Sequence, residues 1–372
     1  MIKLPEKIRR PLDKLVKNLK TRETISSISL FGSWSRGDAE SSSDVDLLTI
    51  DNQDFGYEYV ERLEQNGILI DLNYIPQKWI IGPVPPEIDQ KIYEAYVLYD
   101  RDWTFTNTKE HVMNSYYNPE RISIRAESHL VDADIYLSRA ASAYARGDCE
   151  STQIFATMAA QTMLKTIMEV SKLPFTNSHF IETLEKATHQ LNMTSLFKDY
   201  LSVAKLDNMN PGLIEEKLSS FRAVWDEISS FAKMNPQLVG SMHFKIKTKL
   251  GYYTTPAFLQ GMILRSHALL NEGAFQETAH YTLNPLLDML ENYAWLKAAE
   301  QNIRLDYTTL FRSLKGLKQK PSTIYRNAAK ALNLENMDKD EAKRALTMAK
   351  QIVLKLREQR KMFFDQMQKE TY

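Results

Sequence analysis

Cysteine is nearly missing: Cys149 is the single one in 372 residues, which excludes an internal disulfide and a cysteine-built zinc site. Long apolar runs are missing as well, since no stretch approaches the ~18 uninterrupted apolar residues of a membrane span. The opening MIKLPEKIRRPLDKLVKN is charged throughout and lacks the apolar core of a secretion signal, so a cytoplasmic location and no membrane partner are expected. There is no excess of charge of one sign: Lys plus Arg and Asp plus Glu number 47 each. A global basic field for nucleic acid is thereby excluded, while a local patch stays compatible with the count. Internal repeats and low-complexity tracts are absent. What is present, 43% hydrophobic and 25% charged residues, supports a real core and excludes wholesale disorder. The length suggests two or three domains at about 150 residues each.

The pattern changes character once. Leu4 to Lys20 is a charged amphipathic segment, and Ser27 to Phe31 alternates polar and apolar residues as a half-buried strand does. Asp44 to Ile50 and Ile68 to Ile75 read as two further strands, rich in branched aliphatic residues. Between them, Asp54 to Asn66 places Phe55, Val60 and Leu63 at helical spacing, with Gly67 where a helix would stop. A Pro-Gly cluster, Pro76 to Pro86, reads as loop; a short helix, Glu87 to Tyr96, then leads into a fourth strand at Val97 to Tyr99. After about residue 119 strand signals nearly vanish. Helical spacing runs over 122–144, 151–170, 179–191 and 213–234, and again over 275–302, 308–317, 324–332 and 339–368. The expected fold class is α+β, a small mixed-sheet domain over 1–118 followed by an all-helical region. That region divides into a bundle over 119–240 and a C-terminal extension over 241–372.

The chemistry is concentrated between Leu30 and Leu48. Asp44 and Asp46, two apart on a strand, project from one face, because side chains alternate with a period of two. Paired carboxylates in an apolar strand repel each other and resist desolvation, so they call for a cation. A hard divalent ion such as Mg2+ suits them, and it binds substrate phosphates as well. Gly32-Ser33 ends the preceding strand where a helix would open, so backbone N–H groups and a hydroxyl are available to phosphate oxygens. Asp71 lies in the otherwise apolar strand 68–75; if the two strands are neighbours, it completes a three-aspartate cluster able to hold two metal ions. Arg36 reads equally as a phosphate contact and as a solvated loop arginine, Trp34 as packing, and Asp38 and Glu40 as solvent-facing acids.

Gly32-Ser33, Gly37, Ser43-Asp44-Val45-Asp46-Leu47 and the later Asp71 resemble the signature of the DNA polymerase β-like nucleotidyltransferase superfamily over roughly residues 25–100. The resemblance implies that Asp44 and Asp46 bind Mg2+ and a nucleoside triphosphate, ATP foremost. It implies that Asp71 helps bind metal and activate the attacking hydroxyl, and that Gly32 and Ser33 hold the β- and γ-phosphates. Gly37, Ser43 and Arg36 complete the expected nucleotide-binding set. One departure is that Asp38 follows Gly37, where many members carry Ser or Thr.

The helical region resembles the substrate domain of kanamycin nucleotidyltransferase and the HEPN helical family, through Tyr144-Ala-Arg-Gly-Asp, Ala159 to Lys165 and Asn177 to Leu184. By that resemblance an acceptor-activating base would come from this region, and Glu127 is the candidate, against an ordinary exposed helix glutamate. His129 reads as a surface histidine, and Met158, Met163 and Met168 as core filler. From Lys297 onward 17 Lys/Arg face 9 Asp/Glu, a basic stretch read as solvated helices, an oligomer contact or a polyanion surface. The expected reaction moves NMP from an NTP to an acceptor hydroxyl with release of pyrophosphate. The acceptor is expected to be a small hydroxylated molecule such as an aminoglycoside. The alternatives are an RNA 3′ end or protein side chain as acceptor, or a non-catalytic interaction module.

Overall fold

The computed structural model describes residues 4–316 and 322–370. The chain divides into two compact units, and each is described by itself. The first joins the residues up to Asn118 with Ser241–Arg265; the second joins Pro119–Gly240 with the residues from Ser266 onward.

In the first unit a helix, Glu6–Leu19, buries Ile8, Leu12, Leu15 and Leu19 on one stripe, the three- and four-residue spacing that a helix lays on a single face. That stripe packs against one side of a mixed sheet, with Ile28, Leu30, Leu47, Ile70 and Leu72. The strands are β1 (Ile25–Phe31), β2 (Val45–Asp51), β3 (Tyr59–Gln65), β4 (Ile68–Pro76) and β5 (Tyr96–Asp100), in the order β3-β4-β2-β1-β5. β2 and β4 run parallel, and the other neighbours run antiparallel. The opposite side of the sheet is covered by Ile80, Ile88, Ile92, Phe105 and Val112. With both faces covered, β1, β2 and β4 are buried almost end to end, and this is why they are rich in branched aliphatics.

The helix expected over Asp54–Asn66 is absent, and β3 stands in its place. Asn66 (φ 54°) and Gly67 (φ 77°) both occupy the left-handed region. They form the two-residue turn of a β-hairpin, with Gln65 paired to Ile68 across it. Gly67 therefore reverses a strand where a helix stop was expected. The Pro76–Pro86 cluster carries one helical turn at Lys78–Ile81, and the short helix after it spans Asp89–Glu94.

Residues 241–265, expected within one extension from 241, belong to this first unit. Phe244, at the start of the helix Phe244–Tyr253, sets its ring against Tyr59 at 5.4 Å and Phe55 at 6.2 Å, so an aromatic cluster ties the segment to β3.

The second unit is helical throughout its described residues. Helices Pro119–Ala145 and Cys149–Val170 are joined at Gly147 (φ 73°), and Lys339–Glu370 packs on both. Asp148 fixes that corner: its carboxylate accepts from Ser151 N at 3.1 Å, Ser151 Oγ at 2.8 Å and Arg312 N at 2.9 Å. It thus serves two helix starts at once. Helix Cys149–Val170 is buried over most of its surface, and Met158, Met163 and Met168 lie in its core contacts. Helix Thr194–Val203, which the spacing did not mark, is also present; Pro256–Asn271, likewise unmarked, spans the division after Arg265. Of the helix expected over 308–317, Leu310–Lys315 forms, and Leu317 lies outside the described residues. Among the described residues no helix is long and apolar enough to cross a membrane.

Candidate active site

The sheet register assembles the acidic cluster. Asp46, the second residue of β2, pairs with Phe31 at the end of β1 and with Asp71 in β4. Asp44 lies two residues back on the same alternation, one residue ahead of β2. A single nitrogen, Arg62 Nη2, reaches Asp44 Oδ2 at 2.5 Å and Asp71 Oδ2 at 2.6 Å, so these two carboxylates lie within the span of one hydrogen-bond donor. Arg62 Nε reaches the other oxygen of Asp71 at 2.5 Å, closing a bidentate pair.

Arg62 is the residue that sequence reasoning missed. It stands directly opposite Asp71 in the β3–β4 ladder. The Asn66-Gly67 turn signal, which sets that register, would have revealed it; the helical reading of 54–66 hid it. Its side chain is 5% exposed, so the charge is fully committed to the cluster. Two residues from the distant segment close around it. Tyr252 OH donates to Asp71 Oδ2 at 3.2 Å, and its ring lies 5.4 Å from the guanidinium carbon. Gly261 leaves the space that the guanidinium fills, since a Cβ there would overlap Arg62 Nη1.

The Gly32-Ser33 turn abuts the same carboxylates. Gly32 holds φ 73°, and a Cβ on it would sit 2.7 Å from Asp46 Oδ2, so both backbone conformation and space demand glycine. The four-residue helical turn Ser33–Arg36 follows, with Ser33 half-buried; the N–H groups of Ser35 and Arg36 both bond Gly32 O at 3.0 Å. Gly37 (φ 86°) ends the turn and is exposed. Arg36 is neither solvated nor aimed at an open position: Nη1 bonds Glu94 at 2.8 Å and Nε bonds Asp38 at 3.0 Å. Ser43 Oγ accepts from Glu40 N at 2.9 Å and from Arg265 Nη2 at 3.0 Å, and the same guanidinium pairs with Glu40. Ser43 therefore anchors the loop ahead of β2, and Glu40 is bound where a solvent-facing acid was expected. Trp34 packs against the core beneath the sheet.

Electrostatics separate the carboxylates. Burial, and then the neighbouring charges of Asp44 and Asp71, push the Asp46 carboxyl well above the usual carboxylate range, against the opposing pull of Arg62 and Lys91. Burial raises Asp71 too, despite its bonds to Arg62. Burial disfavours the Arg62 charge, but the Asp71 and Asp44 carboxylates outweigh it and its pKa rises. Among the described residues no three His, Cys, Asp or Glu side chains are arranged to hold a metal ion as they stand. The donor set nonetheless suits a hard cation: all-oxygen carboxylates converge, and Arg62 leaves Asp46 without a bonded cation. A Mg2+ ion arriving with substrate phosphates needs only one or two protein carboxylates.

In the helical unit Glu127 is paired with Arg360, which also reaches Ser123 Oγ at 3.3 Å. His129, expected as a satisfied surface histidine, contacts Glu169 at 3.4 Å, and Glu169 is bonded at 2.8 Å by Arg125.

Residues 12–98 match the family model of the nucleotidyltransferase domain. No curated protein matches the chain. Among solved structures it is similar to a nucleotidyltransferase-like protein from Exiguobacterium sibiricum 255-15. The identity is 11% and the TM-score 0.33, over 72% of this chain and 78% of that one.

Proposed function

We propose that the chain, which carries a nucleotidyltransferase domain over residues 12–98, moves NMP from an NTP, ATP foremost, to an acceptor hydroxyl and releases pyrophosphate. The observation that carries this reading is the pairing of Asp46 with Asp71 across the parallel strands, with Asp44 bound to the same guanidinium, directly against the Gly32 turn.

In this reading Asp44 and Asp46 hold Mg2+ with the triphosphate, and Asp71 joins them for a second ion. Bound there, the ions neutralise charge on the phosphates and lower the pKa of the attacking hydroxyl. Ser33 Oγ and the N–H groups of Ser33 and Trp34 would take the β- and γ-phosphate oxygens, those of Ser35 to Asp38 being bonded within the turn, and Gly32 lets the backbone approach closely. Asp71 is the carboxylate assigned to assist deprotonation of the acceptor hydroxyl. Asp44→Asn and Asp46→Asn are expected to lower labelled-nucleotide transfer at least ~1,000-fold with unchanged circular dichroism. Near-normal turnover in either variant would overturn the assignment.

For the acceptor we favour a small, amine-bearing hydroxylated molecule, aminoglycoside-like, over RNA. The helical unit holds a cleft of about 410 Å³ whose lining includes Glu182, Glu185, Glu272 and Glu277. Glu182 is paired with Lys186 and Glu277 accepts from Ile181 N and Glu182 N, and the acidic excess favours ammonium groups over phosphates. The basic C-terminal stretch points the same way, because Arg357, Arg360, Lys315 and Lys330 are each paired with an acid of this chain. Incubation with labelled ATP and separate pools of aminoglycosides, RNA and protein tests the choice. Label in the RNA pool, lost steeply with rising salt, would overturn it.

A further inference from the structure

Arg62 does in this structure what a divalent cation does in the proposed reaction. One of its nitrogens bridges Asp44 and Asp71 at 2.5 and 2.6 Å, the two carboxylates whose mutual repulsion requires a positive charge between them. We infer that Arg62 is a resident counter-ion of the acidic cluster: it competes with the divalent cation for Asp44 and Asp71 and has to be lifted away for the cation to load. The inference rests on the metal-dependent reading above and adds a regulation to it.

Three features of the seat support it. Arg62 is bonded to both oxygens of Asp71, yet its third bond goes to Asp44 on a different element, so the guanidinium serves the cluster as well as the β3–β4 hairpin. Second, the charge balance is incomplete: Arg62 bonds two of the three carboxylates, Lys91 acts on Asp46 only from a distance, and a divalent ion that bridges Asp44 and Asp71 must use the carboxylates that Arg62 already holds. Two cations on the same oxygens repel each other, so the guanidinium and the ion exclude one another. Third, the seat is shaped by residues 241–265. Tyr252 covers the guanidinium and bonds Asp71, and position 261 lacks the Cβ that would overlap Nη1. How firmly Arg62 is held is therefore set by a segment about 180 residues beyond it in sequence, outside the 12–98 match.

The alternative is an ordinary structural ion pair, which would weaken metal binding when lost. Mn2+ titration followed by electron paramagnetic resonance on the full chain separates the two. Arg62→Met is expected to bind Mn2+ at least tenfold more tightly than the parent protein, and its thermal midpoint, lowered without metal, to recover on adding Mn2+. Gly261→Ala keeps the charge and shifts the guanidinium. It lies in a helix with ordinary backbone angles, where Ala is well tolerated, and it is expected to tighten Mn2+ two- to fivefold. If Arg62→Met does not fold, Gly261→Ala decides alone. Unchanged or weaker Mn2+ affinity in the folded variants overturns the inference and leaves the nucleotidyl-transfer reading intact. Mn2+ binding by neither parent nor variants overturns the inference and the metal half of that reading together.

Discussion

Asp71 in the sheet unit and Glu169 in the helical unit are both buried carboxylates, and each is bonded by an arginine within 2.8 Å. Their acidities nevertheless diverge. Burial raises both, and each has two donor residues, Arg125 and His129 at Glu169, Arg62 and Tyr252 at Asp71; Glu169, with no carboxylate set against it, ends below the usual carboxylate value. Asp71 faces the Asp44 carboxylate across the same guanidinium and ends above it. The helical unit thus settles a buried charge by surrounding it with donors. The sheet unit sets like charges side by side, an arrangement with an outstanding demand for a cation. In the proposed reaction, that contrast separates a carboxylate that holds the fold together from one that serves the chemistry.

The contrast is sharpened most by cutting the helical pair. Arg125→Met strips Glu169 of its buried partner and is expected to cost about 3–5 kcal/mol of unfolding free energy. Denaturant melts should show no rescue by Mg2+, and rescue would break the comparison. Gly32→Ala, which forces a Cβ against Asp46, is expected to lower nucleotide transfer about 100-fold, equivalent to about 2.7 kcal/mol. A rate assay at saturating ATP checks it.

The third test uses acidity in the helical unit. Burial, helped by the charge of Lys165, pushes His280 down to about 3 from 6.5, and neither ring nitrogen has a hydrogen-bond partner. The unfolded chain therefore binds a proton below pH 6.5 that the folded one refuses until pH 3. Stability is full above that window and falls as pH drops through it. His280→Phe, which preserves the stack on Phe180, is expected to remove about 2 kcal/mol of that loss at pH 5. An acid dependence equal to the parent's would overturn it. The smallest effect is expected of Glu127→Gln. With the carboxylate already engaged by Arg360 on a half-exposed surface, stability should change within about 0.5 kcal/mol and transfer not at all. A 100-fold loss of transfer would mean that the helical unit contributes a base, and the comparison would fail.

Much of the sheet unit was legible because its signals are local. The apolar, branched-aliphatic runs of β1, β2 and β4, and the stripe of Ile8, Leu12, Leu15 and Leu19, are properties of single segments. The Gly32-Ser33 turn and the alternation of Asp44 and Asp46 are legible for the same reason. β3 was not, because Phe55, Val60 and Leu63 fit a helix as well as a strand; two positive-φ residues at the hairpin decided between them. Losing β3 also lost Arg62, whose meaning depends on which residue lies across the ladder. The bond between Ser43 and Arg265 was not legible for a similar reason: the two lie 222 residues apart.

The order of amino acids alone was enough to determine which segments bury themselves, that two aspartates and a Gly-Ser turn lie near strand ends, and that a third aspartate lies within an apolar strand. Those properties depend on neighbours within one or two turns of chain. Only the tertiary structure decided that Asp71 stands beside Asp46, that Arg62 fills the space between two of the carboxylates, and that Tyr252 and Gly261 shape its seat. Charges act through space, so their balance is set when distant segments meet.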